Sequence, residues 1–178
     1  METVSAPIRR LENYWKIEAG NVVLIPAIAV VVVVRSGGSV TAALVLAMLA
    51  CSFLLVIGTI ALRMMLRKAR GDADATRDRI PLLVRMRWPA IGLCAAAAVA
   101  VAIDWISRGP TLSAERLVPT VLLLLAVLEY VNYYHVQIQH FDHAPDWRRL
   151  LSGRGFRPSH LAREIDRWKR RSAAGGGA

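Results

Sequence analysis

Cysteine is scarce. Only Cys51 and Cys94 occur, and they form no CxxC pair, so zinc ribbons and dithiol redox chemistry find no support. All four histidines lie between positions 135 and 160. No second distant helix can therefore offer an imidazole for a bis-His haem. Gly-x-Ser-x-Gly, His-Glu-x-x-His and a phosphate loop are all missing, which leaves the common hydrolase, zinc-protease and nucleotide motifs without residues. Acidic residues are also few, 13 against 23 Lys and Arg, for a net charge of +10. In a soluble chain that excess would point to nucleic acid. No recognition-helix or aromatic–basic pattern accompanies it, and no nucleic-acid partner is expected.

What is present is apolar length. Residues 19–34, 40–62, 88–107 and 117–136 are four apolar runs. Each is long enough, or nearly so, to cross a hydrocarbon core of roughly 30 Å at about 1.5 Å per residue. Of the 23 basic residues, 20 lie before the first run, between the second and third, or after the fourth. That asymmetry places both termini in the cytoplasm. The expected fold is an all-α four-helix transmembrane bundle in a single membrane domain. The first apolar run has no A-x-A-like site after it, so it reads as an uncleaved anchor.

Residues 1–18 precede the first span, and within them 6–18 read as a short interfacial helix with Leu11, Tyr14, Trp15 and Glu18 on one side. Asn21 and Pro26 interrupt span 1, and a proline there needs neighbours to satisfy the freed backbone. Residues 35–39 are a tight turn, and 63–87 read as a basic middle loop. In span 3, Gly92, Ala96 and Ala100 recur every four residues, a small-residue stripe that suits close helix packing. The tail, 144–171, carries nine basic residues. Within it Ser159 can cap a last helix. That helix sets Leu161, Ile165 and Trp168 against Arg163, Arg167 and Arg170, as a basic amphipathic helix on anionic headgroups would. Residues 172–178, mostly Ala and Gly, read as disordered.

The outlier is Glu129. Counting from Leu117 it lies about 18 Å into the bilayer, where a charge costs at least a few kcal/mol. It should therefore face protein, pair, or take up a proton. On one helical face with it fall Asn132, Tyr133, His140 and His143, if the helix runs on to about residue 142 before Pro145 ends it. Three readings stay open. The stripe is structural, or it is a proton or cation path, or His140, Asp142, His143 and Asp146 hold a metal at the membrane surface. Only the last implies a cofactor; otherwise none is expected.

The segments Glu129-Tyr-Val-Asn-Tyr-Tyr-His135, Asp146-Trp-Arg-Arg-Leu and Ser159-His-Leu-Ala-Arg-Glu164 resemble a group of small bacterial four-span proteins whose last span ends in a Glu-Tyr-Ile/Val-Asn-Tyr-Tyr segment. The resemblance implies a bacterial inner-membrane protein and no activity, cofactor or substrate. The residues favour a non-enzymatic protein that packs against lipid, a protein partner or a second copy of itself through its basic face. The first alternative is a proton- or cation-coupled transporter or oligomeric channel using Glu129. The second is a membrane-interface metal enzyme.

Overall fold

The computed structural model describes residues 6–72, 74–109, 111–136 and 158–175. Four long helices, α1 (Ala6–Arg35), α2 (Ala42–Ala69), α3 (Ala75–Arg108) and α4 (Ala114–Tyr134), are followed by a shorter one, α5 (His160–Gly175). Among the described residues the only extended pairing is one antiparallel bridge, Val136 to Pro158. The all-α bundle expected from the sequence is what forms.

All four long helices are long and apolar enough to cross a membrane. Their apolar residues do not all point inward. Val23, Leu24 and Ile28 of α1, Val99 and Ile103 of α3, and Val121, Leu124 and Leu128 of α4 are exposed. An aqueous protein hides such rows, whereas hydrocarbon solvates them. The chain is thus a small multi-pass integral membrane protein.

Helix α2 is the hub, packing against α1, α3 and α4. Leu44, Ala47, Cys51, Leu54, Gly58 and Ala61 lie on its buried side, spaced by three or four so that they form one stripe. Its first turn is capped by Thr41, whose hydroxyl accepts from the Leu44 amide at 3.2 Å. The α1–α2 turn reverses through Gly37 at φ 77°, a left-handed conformation that glycine adopts without Cβ strain.

Pro26 removes the N–H that would bond the Val22 carbonyl. Ser52 of α2 supplies the replacement, its hydroxyl donating to that carbonyl at 3.0 Å. Ser52→Ala should therefore cost about 1 kcal/mol, the typical worth of an interhelical bond in lipid. Unfolding in mixed micelles measures it, and no change would mean that the carbonyl is satisfied some other way.

Several boundaries differ from the sequence reading. The N-terminal surface helix and span 1 are one continuous 30-residue helix, about 45 Å long, so its first turns extend past the apolar run. The middle loop shrinks to a tight turn between Ala69 and Ala75. Both flanking helices continue through its Arg-rich residues, since Arg and Ala favour helix. In that turn Arg67 donates to Asp72 at 2.8 Å, and this hydrogen bond holds the Asp72 carboxyl below the usual carboxylate range. Helix α4 stops at Tyr134 rather than near residue 142. There the Ser159 amide donates to the His135 carbonyl at 3.1 Å, and this pairing replaces further helical turns. Residues 172–175, expected to be disordered, complete α5.

Helix α5 does not turn its apolar side to lipid. Leu161 and Ile165 are buried and Trp168 packs on the core, and α5 touches both α3 and α4. Ser159 caps it, accepting from the Ala162 amide at 3.0 Å while donating to the Tyr133 carbonyl. Across it Lys68 meets Glu164 at 2.7 Å, and nearby Arg70 meets Glu12 at 3.1 Å. One end of the bundle, which we call the basic end, is thereby tied together from four elements.

Candidate functional site

Distances along the helices set the depth of the polar residues. Glu18 precedes Arg35, Gly58 follows Thr41, and Tyr133 follows Arg116, each by the same 17 positions. Arg35, Thr41 and Arg116 all stand at the end opposite the basic one. At about 1.5 Å per residue the three side chains meet about 25 Å from that end. Against a hydrocarbon core of roughly 30 Å, that depth is nearer the basic end than the opposite one.

They meet because α2 has no side chain there. A Cβ built on Gly58 would overlap the Tyr133 hydroxyl and the Glu18 carboxyl. Glycine thus opens a polar niche in a helix otherwise lined by Leu, Ile and Ala. Tyr133 donates its hydroxyl to Glu18. Glu129, one turn earlier on α4, lies within electrostatic reach of the same phenol. Glu129, Asn132 and Tyr133 are each less than a tenth exposed. Cys51 lies within electrostatic reach of both carboxyls.

Tyr133 has one hydroxyl hydrogen and gives it to Glu18. Glu129 is within electrostatic reach of the same phenol, so two carboxyl groups from α1 and α4 flank one hydroxyl beside Gly58.

Above this cluster, towards the basic end, lies a cavity of about 530 Å³. Gly58, Asn132 and Tyr133 belong to its floor, Leu11, Ala61, Met64, Met65 and Leu161 to its walls, and Lys68 and Glu164 to its rim. Towards the opposite end the interior is closed by Leu44, Ala47, Leu54, Leu122 and Ala126. The cavity thus lies on the basic-end side of the cluster, and tightly buried apolar residues lie on the other.

Gly58→Ala puts a methyl group into this niche. The atoms it meets are side-chain ends, so the helices need not separate. We expect about 1–3 kcal/mol of destabilisation, as for other overpacked cores, with the fold kept. Thermal unfolding in detergent measures the cost, and an unchanged or raised midpoint would show that the niche is looser than described.

The sequence-predicted stripe is brought together in part. Glu129, Asn132 and Tyr133 share the buried face. His140, Asp142, His143 and Asp146 lie outside the described residues. Among the described residues no group of three metal-ligating side chains occurs. The Gly92–Ala96–Ala100 stripe is not a contact within the chain, since Gly92 and Ala96 are exposed and Ala100 is half-buried. It is Ala90, Ala97 and Val101 of α3 that are buried. Sequence reasoning missed Glu18 as Glu129's counterpart. The available signal was a carboxyl on the same side as Leu11, Tyr14 and Trp15. Gly58 was likewise missed, although it is the one glycine inside span 2. No family model, no curated protein and no solved structure matches this chain.

Proposed function

We propose that the protein is a small proton- or cation-coupled transporter of a bacterial plasma membrane, with its basic end and both termini in the cytoplasm. The observation that carries the reading is the buried carboxyl of Glu129 set one turn from Tyr133, whose hydroxyl is held by a second carboxyl, Glu18, beside a cavity towards the basic end. A buried carboxyl that gains or loses one proton is the minimum element of a coupled carrier. The concentration of Lys and Arg at that end supports the orientation and a preference for anionic lipid around it. The resemblance of the α4 end to small bacterial four-span proteins supports the choice of membrane.

Flux in liposomes tests this. Native protein should carry protons down an imposed gradient and Glu129→Gln, which cannot ionise, should not. Equal flux in both, or none in either, removes the reading.

A second reading has its own observation. Gly92 and Ala96 face outward on α3, and the Arg163, Arg167 and Arg170 side of α5 is solvent-exposed. These surfaces suit a second copy or a protein partner, in which case the protein is non-enzymatic and organises a membrane assembly. Crosslinking in native membranes tests it, and a strictly monomeric, partnerless chain would contradict it.

A further inference from the structure

The junction of α3, α4 and α5 at the basic end holds a separate cavity of about 340 Å³, at the lower end of the range for small-molecule sites. Arg87 of α3, and Lys169 and Asp166 of α5, line it, so two cations meet one carboxylate and one net positive charge remains. His135 also lines it, and an imidazole offers an N–H in either neutral tautomer. Arg87 is held in place. Its Nε donates to the Tyr130 hydroxyl at 2.9 Å, and the Tyr130 ring packs on Tyr134 and His135 with centroids 5.2 and 5.6 Å apart. That bond uses one of the five guanidinium N–H groups. Among the described residues neither Arg87 nor Lys169 forms an ion pair. A half-buried guanidinium, fixed by a phenol and without a counter-ion, is a bidentate site for an oxyanion.

Depth and surroundings say which oxyanion. Arg87 precedes Arg108 by 21 positions, about 32 Å of helix, and Asp104 is the only charged residue between them. A hydrocarbon core of roughly 30 Å puts Arg87 at the headgroup level. Trp88 beside it is 74% exposed, as tryptophans at that level are. Beneath the cavity the surface turns apolar. On the same side of α3 as Arg87, one to three turns towards the opposite end, come Ile91, Cys94 and Ala98. On the same side of α4 as Tyr134 come Val127 and Leu123. All five are exposed or half-buried. A polar cavity above an apolar strip matches a phosphate above acyl chains, and a soluble anion has no use for the strip.

We propose that this cavity binds the phosphodiester of an anionic phospholipid, of the phosphatidylglycerol kind. Arg87 forks onto the phosphate oxygens, Lys169 closes over them from α5, and the acyl chains lie along the strip. Basic pockets between spans are where membrane proteins hold anionic headgroups. Phosphatidylcholine carries the same phosphate but adds a cation, which would stand against Lys169. A lipid held here links α3 to α5 through one phosphate. The site is independent of the carrier reading, since it needs only the basic end at headgroup level.

The test is native mass spectrometry of the full chain released from detergent micelles, which counts bound lipid. We expect one phosphatidylglycerol per chain, retained in preference to phosphatidylcholine. Arg87→Gln should weaken its binding about tenfold or more, the worth of charge-assisted hydrogen bonds. Lys169→Gln, at an exposed position of α5, should weaken it about threefold, as loss of a partly solvated point charge does. Arg85→Gln removes the same charge from α3 at an exposed position outside the cavity and should leave binding unchanged. If Arg87→Gln fails to fold, Lys169→Gln against Arg85→Gln decides. Equal retention of the two lipids, or an equal loss in Arg85→Gln, would show only diffuse attraction and overturn the proposal. Displacement of the lipid by millimolar inorganic phosphate would overturn it in favour of a free anion. Retention of a hexaglutamate peptide in place of lipid would overturn it in favour of an acidic protein partner.

Discussion

Tyr133→Phe should reduce proton flux by roughly 10–100-fold while leaving the protein folded. The substitution removes one oxygen and one hydrogen and keeps the ring that packs among α1, α2 and α4. What it deletes is the hydrogen bond to Glu18 and the hydroxyl that Glu129 also reaches electrostatically. A hydrogen bond to a charged group is worth about 1.5–3 kcal/mol, and each 1.36 kcal/mol is a factor of ten. Without the hydroxyl Glu18 loses its donor, and no exchangeable proton remains between the two carboxyls. Stability should fall less than flux, because the niche beside Gly58 has room for the carboxyls to shift. Native flux in Tyr133→Phe would mean that the phenol is a packing residue and that the two glutamates act separately or not at all.

The second large effect lies at the far end of the molecule. Arg116→Ala should destabilise the protein by about 3 kcal/mol, in the range for breaking a buried ionic contact. The Arg116 side chain is 6% exposed. It donates to the Arg108 carbonyl at 2.7 Å, to the Gly109 carbonyl and to the Thr111 carbonyl at 3.0 Å. The first two belong to the C-terminal end of α3, where helix carbonyls have no intrahelical donor and a cation is favourable. Asp104 stands 3.8 Å from the same guanidinium, and the ring of Trp105 lies under it at 5.8 Å. One side chain of α4 thus closes the C-terminus of α3 and fixes the turn between them. Lysine keeps the charge but not the fork of donors, so Arg116→Lys should recover only part of the loss. Unfolding in mixed micelles measures both, and a change below about 1 kcal/mol for Arg116→Ala would show that water serves these carbonyls equally well.

These two sites differ in how far they could be read from the chain. The spans were legible because hydrocarbon thickness imposes a length and a composition, and residues 40–62 and 117–136 have both. Depth was legible for Glu129 for the same reason, since counting along a helix needs no tertiary information. Rotation was not. Glu18 sits at the end of an apolar run, where a carboxyl facing headgroups and one facing the bundle look alike in sequence. Only its partner across α2, admitted by Gly58, distinguishes them. Helix α5 shows the same limit. Leu161, Ile165 and Trp168 make a stripe whether they lie on lipid or on α3 and α4, and the pattern does not say which. The end of α4 was misplaced because periodicity favoured continuation, while the pairing of His135 and Val136 with residues 158 and 159 stopped it. The middle loop was read from its charge. In fact Arg67, Lys68, Arg77 and Arg79 are helical.

A carrier centred on Glu129 needs that buried carboxyl to take up and release a proton within the membrane. Infrared difference spectroscopy of the protein in lipid reads it directly, through the carbonyl stretch of a protonated carboxyl group. The account predicts one such band per chain at neutral pH, with loss of that band in Glu129→Gln or a shift in Glu18→Gln. A native spectrum with both carboxyls ionised, or a band indifferent to both substitutions, would contradict it.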